Sequence, residues 1–213
     1  MAEILDPILI TALALNFVAL GVSRVKGAVN AVALQGILLG TLPLLVHPEI
    51  HPRGIVLVVV TIALKGYVLP WFLLHAMREA NIRHEVNPVV GYKSSLFLGA
   101  VGTGLAIVYS STLPLASEHA GMLFVPASLA TVWTGFLLLT TRREAIMQVL
   151  GYLVLENGLF VFGVLLLEAM PFLVEAGVLL DLFTAVFVMG IIIHQIGREF
   201  SSISTEHLSE LKE

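Results

Sequence analysis

Seven segments of this chain are apolar and long enough to cross a lipid bilayer. A transmembrane helix needs about 20 apolar residues, and the segments that meet this condition are 5–22, 27–46, 54–77, 93–112, 121–140, 144–167 and 172–196. Only helices or closed barrels span a membrane, because lipid offers no hydrogen-bond partners to the backbone. These segments are too continuously apolar for barrel strands. They predict an all-α integral membrane protein, a polytopic bundle of about seven transmembrane helices.

The composition excludes several classes of protein. Of the 213 residues 58% are hydrophobic and 12% are charged, whereas an ordinary soluble domain carries about 25% charged residues. A water-soluble enzyme and a disordered chain are therefore excluded. The net charge of −4 leaves no basic surface for nucleic acid. Without cysteine there is no thiolate ligand, and His47 and His51 lack an evident third ligand, so we expect neither a metal nor a cofactor.

The basic residues predict the orientation of the chain. If seven spans alternate in direction, nine of the 11 lysines and arginines fall on one side of the membrane. They are Arg24, Lys26, Arg78, Arg83, Lys93, Arg142, Arg143, Arg198 and Lys212. By the positive-inside rule the N-terminus lies outside and the C-terminus in the cytoplasm of a multi-pass protein of the inner (plasma) membrane. We expect residues 1–213 to form a single membrane domain that ends in a polar tail, 197–213.

Three ionisable residues lie well inside predicted spans: Lys65, Glu156 and Asp181. A rise of 1.5 Å per residue places each of them roughly 14–17 Å from the outer end of its helix, close to the middle of a hydrocarbon core about 30 Å thick. A charge at that depth costs about 2.5–3.5 kcal/mol on insertion scales, so these side chains should face the bundle, a partner or water. A buried acid beside a movable positive charge has a proton affinity that can be switched, which is the basis of a proton relay.

Further polar residues accompany the two acids. Gln148, Tyr152 and Glu156 follow one another at four-residue spacing and are expected to form a polar stripe on one helix face. Thr184 shares a face with Asp181 on the next span. The stripe supports a relay, but the same residues are equally able to hold helices together by hydrogen bonds and ion pairs. Both interpretations stay open at this point.

The third span should be interrupted beside its lysine. Pro70 has no N–H, so the carbonyl of Gly66 loses its helical partner close to Lys65, and the helix is expected to bend there. On the second span, Gly36 and Gly40 are four residues apart and favour close packing of helices.

The stretch TTRREAIMQVLGYLVLENGLFVFG, residues 140–163, resembles the middle helix of the K-type membrane subunit of respiratory complex I and of the Mrp antiporter C subunit. In these subunits an arginine-flanked loop leads into a helix with a G-x-x-x-E-like segment, and the following helix bears a second acid. Arg142, Arg143, Gly151 and Glu156 stand in that order, although Glu156 lies about one turn further along. Asp181 falls near the second acid. The resemblance implies a K-subunit-like unit of three helices over about 121–196.

The whole chain, through the segments LENGLFVFG and LLDLFTAVFVMGIIIHQI, resembles the E-type membrane component of hydrogenase-4, which belongs to complexes of the formate hydrogenlyase type. The resemblance implies a non-redox membrane subunit of an energy-converting complex related to complex I, one that has no cofactor of its own. Its partners would be antiporter-like and other membrane subunits together with the lipid bilayer. Proton or cation translocation would depend on Glu156, Asp181 and Lys65.

Two alternative functions remain. The chain could be an assembly scaffold of such a complex without a proton relay, or a small transporter that works alone. A retinal protein shares the topology but needs its lysine on the last helix, whereas Lys65 is on the third. An intramembrane protease is disfavoured because no Ser/His or Asp/Asp pair has a suitable context.

Overall fold

The computed structural model describes residues 2–46, 52–79, 86, 88–113, 123–165 and 190. The described helices are α1 (Ala2–Gly21), α2 (Val25–Gly40), α3 (Leu42–Val46), α4 (Pro52–Ala63), α5 (Leu69–Glu79), α6 (Tyr92–Ser110), α7 (Phe124–Thr141) and α8 (Ala145–Leu165). A π-helical turn over Leu64–Val68, here called the π turn, joins α4 to α5. The all-helical prediction is confirmed for this part of the chain.

Five helical stretches of the described residues are long and apolar enough to cross a membrane. They are Ile4–Gly21, Val25–Val46, Val58–His75, Phe124–Thr141 and Ala145–Leu165. Helix α6 coincides with the predicted fourth span but is not among them, since it begins Tyr-Lys-Ser-Ser and contains three glycines. Apart from residue 190, the predicted seventh span, with Asp181 and Thr184, lies outside the described residues, as do His47, His51 and the tail 197–213. The protein is thus a helical membrane protein, while the count of seven and the orientation stay predictions.

Two predicted spans are interrupted next to a proline. The second span divides into α2 and α3 at Thr41, whose N–H donates to the carbonyl of Leu38 over 3.2 Å. In the third span the N–H of Leu69 donates to the carbonyl of Leu64, five residues earlier, and Pro70 has no N–H with which to continue either helical pattern. The interruption predicted beside Lys65 is therefore a π turn, a rare element that often occurs at functional sites.

Three connections meet at one end of the bundle. The N–H of Val86, between α5 and α6, donates to the carbonyl of Ser23, between α1 and α2, over 2.9 Å. The N–H of Val89 donates to the carbonyl of Thr141, at the end of α7, over 2.8 Å. These connections follow α1, α5 and α7, the helices that end the first, third and fifth predicted spans. Their contact agrees with the assumption that successive loops lie on alternate sides of the membrane, on which the count of basic residues depends.

Arg142 lies at this junction and is only 1% exposed. Its guanidinium donates to the carbonyl of Leu20 over 2.5 Å and to Ser95 Oγ over 3.4 Å, and it lies 5.4 Å from the ring centre of Tyr92. Burial lowers the pKa of Arg142 from its ordinary value, whereas Tyr92 and Glu144 act in the opposite sense. An arginine still remains charged under these conditions. Arg142 therefore holds α1, α6 and the α7–α8 connection together, in addition to its place in the count of basic loop residues.

Glycines allow α7 and α8 to approach each other closely. A Cβ added at Gly135 would lie 2.5 Å from the backbone nitrogen of Leu155, and one added at Gly158 would lie 2.7 Å from that of Val132. Gly151 is similarly close to the backbone of α7. Real Cβ atoms do not approach a backbone so closely, so this pair of helices requires glycine at these contacts.

The predicted packing role of Gly36 and Gly40 is confirmed. A Cβ at Gly36 would lie 2.9 Å from Lys65 Cβ, and one at Gly40 would lie 2.9 Å from Ile62 Cγ1. The two glycines therefore let α2 lie directly against the face of the third span that carries Thr61 and Lys65.

Candidate functional site

Two clusters of buried apolar side chains fill the bundle, one towards each end. The cluster at the Arg142 end includes Leu20 of α1 and Leu150 of α8. The other cluster includes Leu9 of α1 and Val161 of α8. On each of these helices a stretch without cluster residues separates the two, and polar residues occupy it.

Several buried polar side chains lie between the two clusters, and we call seven of them the polar layer. They are Asn16 of α1, Gln35 of α2, Thr61 of α4, Lys65 of the π turn, Thr131 of α7, and Glu156 and Asn157 of α8. All seven are buried, at 1–7% exposure. Six of them contact one another across the interior, and Thr61 lies one helical turn before Lys65. The depth estimated from sequence for Lys65 and Glu156 agrees with this arrangement.

The Lys65 ammonium lies between a carboxylate and an amide. Its Nζ is 3.9 Å from Glu156 Oε2 and donates a hydrogen bond of 3.2 Å to Asn157 Oδ1. The ring centre of Phe160 is 5.3 Å away, within reach of a cation–π contact. A buried charge is tolerated only when such partners compensate for the lost water, so α8 provides the surroundings that allow Lys65 to be buried.

A line of amide hydrogen bonds continues from Asn157 across the bundle. Asn157 Nδ2 donates to Gln35 Oε1 over 3.3 Å, and Gln35 Nε2 donates to Asn16 Oδ1 over 2.8 Å. Asn16 Nδ2 then donates to Thr131 Oγ1 over 2.9 Å. Every donor in this line points away from Lys65, so the amides fix the Oδ1 of Asn157 towards the ammonium.

The residues of the predicted polar stripe on α8 differ in depth and exposure. Gln148 is exposed and its Nε2 donates to the carbonyl of Arg142 over 3.2 Å. Tyr152 is half-buried, and Glu156 lies in the polar layer. Gln148 and Glu156 are eight residues apart, or about 12 Å along the helix axis. Gln148 therefore contacts the α7–α8 connection, and its contacts with described residues do not place it in the polar layer.

Sequence reasoning missed Asn16, Gln35 and Thr131. Asn16 is the one amide of its predicted span, and Gln35 is one of two in the next span, with Asn30; amides in an otherwise apolar segment are the signal that could have identified them. Uncharged side chains in a membrane helix still need hydrogen-bond partners. Their partners become apparent only when the helices are placed against one another.

The groups of the polar layer define the chemistry that it supports. The carboxylate and the ammonium are able to bind and release protons, and the three amides and two hydroxyls are able to orient them by hydrogen bonds. Within the described ranges, no cluster of three or more His, Asp or Glu side chains is arranged to hold a metal ion.

Sequence comparisons place the chain among known proteins. It is 33% identical over 193 residues to an uncharacterized protein of Mycobacterium tuberculosis, covering 88% of this chain and 86% of that relative. It is 31% identical over 150 residues to hydrogenase-4 component E of Escherichia coli strain K12, covering 70% of this chain and 68% of the relative. The chain belongs to the hydrogenase-4 component E family. The component of the same name in Shigella flexneri matches to the same extent.

Membership in the hydrogenase-4 component E family confirms one of the two resemblances noted in the sequence. The resemblance to the K-type subunit of complex I and to the Mrp antiporter C subunit stays a prediction. No family model and no solved structure matches the chain.

Proposed function

We propose that this protein is a non-redox, multi-pass subunit of a hydrogenase-type complex in the inner membrane, where it contributes to proton or cation translocation. The name of its component E relatives and the five apolar helices support a place in such a complex. Its neighbours would be antiporter-like and other membrane subunits. In this proposal residues 121–196 form the K-subunit-like unit, and Glu156, Lys65 and Asp181 carry the relay.

The observation that carries this proposal is the buried pair of Lys65 and Glu156, 3.9 Å apart. At an effective dielectric constant of about 20, two charges at this distance attract each other by about 4 kcal/mol. Moving the ammonium to about 6 Å weakens the attraction by about 1.5 kcal/mol, which corresponds to roughly tenfold in proton affinity. A displacement of about 2 Å at Lys65 would therefore favour proton uptake at Glu156, and its return would favour release.

Asn157 gives the ammonium a second place to bind. Its Oδ1, held by the amide line through Gln35, already accepts a hydrogen bond from Lys65. An ammonium that exchanges between this amide and the Glu156 carboxylate never loses its hydrogen bonding entirely. The barrier to the movement is correspondingly low, as a repeating cycle requires.

One observation favours the scaffold alternative. The amide line ties α1, α2, α7 and α8 together through side chains alone, which is what structural hydrogen bonds between membrane helices do. In that case Lys65 and Glu156 would hold the helices in register. Neutralising either residue would lower the amount of assembled complex, but not the number of protons translocated per turnover of each complex.

Replacing Glu156→Gln tests the relay. The substitution keeps size and hydrogen bonding but removes the titratable group, so we expect normal assembly with at least a tenfold loss of translocated protons per redox turnover. The measurement is the pH change in inverted membrane vesicles driven by electron transfer, normalised to the amount of assembled complex. Glu144→Gln, an acid of the α7–α8 connection, is the control and should leave translocation unchanged. Normal translocation in an assembled Glu156→Gln complex would contradict the relay, and a lower yield with normal coupling would support the scaffold.

A further inference from the structure

Thr61 differs from five other helical threonines in how its hydroxyl is used. Those five donate their hydroxyl to the carbonyl four residues earlier in their own helix. They are Thr11, Thr103, Thr134, Thr140 and Thr141. Thr61 is only 3% exposed, yet its Oγ1 has no hydrogen-bond partner among the described residues. Its hydroxyl therefore does not make the backbone bond that these five make.

A buried hydroxyl without a protein partner requires an explanation, and an ordered water molecule is the usual one. Thr61 lies one turn before Lys65 on the same helix face, against α2 at Gly40. In the π turn next to it, Pro70 has no N–H to donate to the carbonyl of Gly66 at α spacing.

The amide line that begins at Asn157 is unsuited to carrying protons. The side chains of Asn157, Gln35 and Asn16 keep both of their amide protons and hold one fixed orientation. A water molecule or a hydroxyl, by contrast, accepts one proton while it donates another. The hydroxyl of Thr61 has no hydrogen-bond partner among the described residues, so it is able to orient as such a step requires.

We infer that Thr61 binds an ordered water molecule beside Lys65, and that this water is a proton-carrying step next to the Lys65–Glu156 pair. The water accepts a proton at its oxygen from the approaching side and releases one of its own to the layer, so that one proton moves and the water is regenerated. The hydration site stands on the geometry of Thr61 alone, whereas the proton step rests on the proposed function.

The test compares Thr61→Val, Thr61→Ser and Thr134→Val in the assembled complex. Valine has the shape of threonine without the hydroxyl, and serine retains the hydroxyl. Thr134 is a matched control because it is equally buried and donates only to the carbonyl of Ala130, 2.9 Å away. Hydration is read by X-ray radiolytic hydroxyl labelling of the purified complex, with labelled peptides quantified by mass spectrometry. Translocation per turnover is read in vesicles.

We expect Thr61→Val to lose at least three-quarters of the labelling around Thr61 and to slow translocation severalfold. Thr61→Ser and Thr134→Val should retain both signals. Unchanged labelling in Thr61→Val would overturn the water site. Lost labelling with unchanged translocation would overturn the proton step and leave the water site standing. If Glu156→Gln also translocates normally, the failure lies with the proposed function rather than with the hydration of Thr61.

Discussion

Two adjacent arginines show how much a residue's role depends on its surroundings. Arg142 is 1% exposed and contacts the carbonyl of Leu20 and the hydroxyl of Ser95, whereas Arg143 is exposed. Both count equally in the positive-inside rule, so nothing in the sequence distinguishes them. The difference arises because the carbonyl groups that bind Arg142 belong to helices distant in the sequence.

Replacing Arg142→Lys should therefore destabilise the protein, since a lysine cannot reproduce the forked contacts of a guanidinium. We expect a loss of about 2–4 kcal/mol in the free energy of unfolding, measured by denaturant titration of the detergent-solubilised protein. Arg143→Lys is the control and should unfold like the parent. Equal stability of the two variants would show that the buried contacts of Arg142 contribute little.

At the residue scale the sequence predicted the charged part of the site better than its neutral part. Lys65 and Glu156 stand out because a charge in a membrane helix is costly, and their depths follow from the helical rise. Asn16 and Gln35 carry no charge and meet each other only through the packing of α1 and α2. The role of a neutral amide thus depends on which helices are neighbours, and one sequence does not contain that information.

At the element scale, α7 and α8 are the most closely packed pair of helices in the described bundle. Their backbones approach each other at Gly135, Gly151 and Gly158. Glu156 and Asn157 lie between two of these glycines on α8, so the close contact fixes the position of both side chains. Glycine here is a requirement of packing rather than of backbone conformation.

Replacing Gly158→Ala should disrupt this contact, because the new Cβ would meet the backbone nitrogen of Val132 at 2.7 Å. Forcing the helices apart costs about 1–3 kcal/mol. Gly163→Ala on the same helix has no atom within 4 Å of its new Cβ, and it should stabilise α8 by about 0.5–1 kcal/mol. Thermal unfolding in detergent will distinguish the two, and similar melting temperatures would contradict the packing argument.

The helix bounds were predicted well where hydropathy alone decides them. The span predicted over 144–167 is observed as Ala145–Leu165, and the one over 121–140 as Phe124–Thr141. The division of the second span at Thr41 was not predicted, because hydropathy continues unbroken across Gly40 and Leu42. The π turn was expected only as a bend, since Pro70 reveals a missing donor but not how the helix adapts to it.

At the scale of the whole molecule, the described helices alternate between ending and beginning at one end of the bundle. The connections after α1, α5 and α7 lie together at one end, and this end bears Arg24, Arg142 and Arg143. Ser111, after α6, lies at the far end of a helix of 19 residues, or about 28 Å away.

The absence of cysteine from the chain permits a clean test of orientation. Single cysteines at Ser23 and Ser111, both exposed, should react with a membrane-impermeant maleimide from opposite sides. We expect Ser23→Cys to be labelled only in inverted vesicles and Ser111→Cys only in intact cells or spheroplasts, because the basic end faces the cytoplasm. Labelling of both from the same side would show that α6 does not cross the membrane.

Glu156 and Lys65 lie on backbone segments that differ in how firmly they are packed. Glu156 is held in place because α8 contacts the backbone of α7 on either side of it. Lys65 lies in the π turn, where the hydrogen-bond ladder is shifted by one residue and Pro70 donates no backbone hydrogen bond. Tyr67 belongs to the same turn and is 72% exposed, and Trp71 follows at 50%. A movement of Lys65 that carries the π turn with it would also move these two aromatic side chains on the outside of the bundle. A neighbouring protein at this surface would then sense whether the carboxyl of Glu156 is charged.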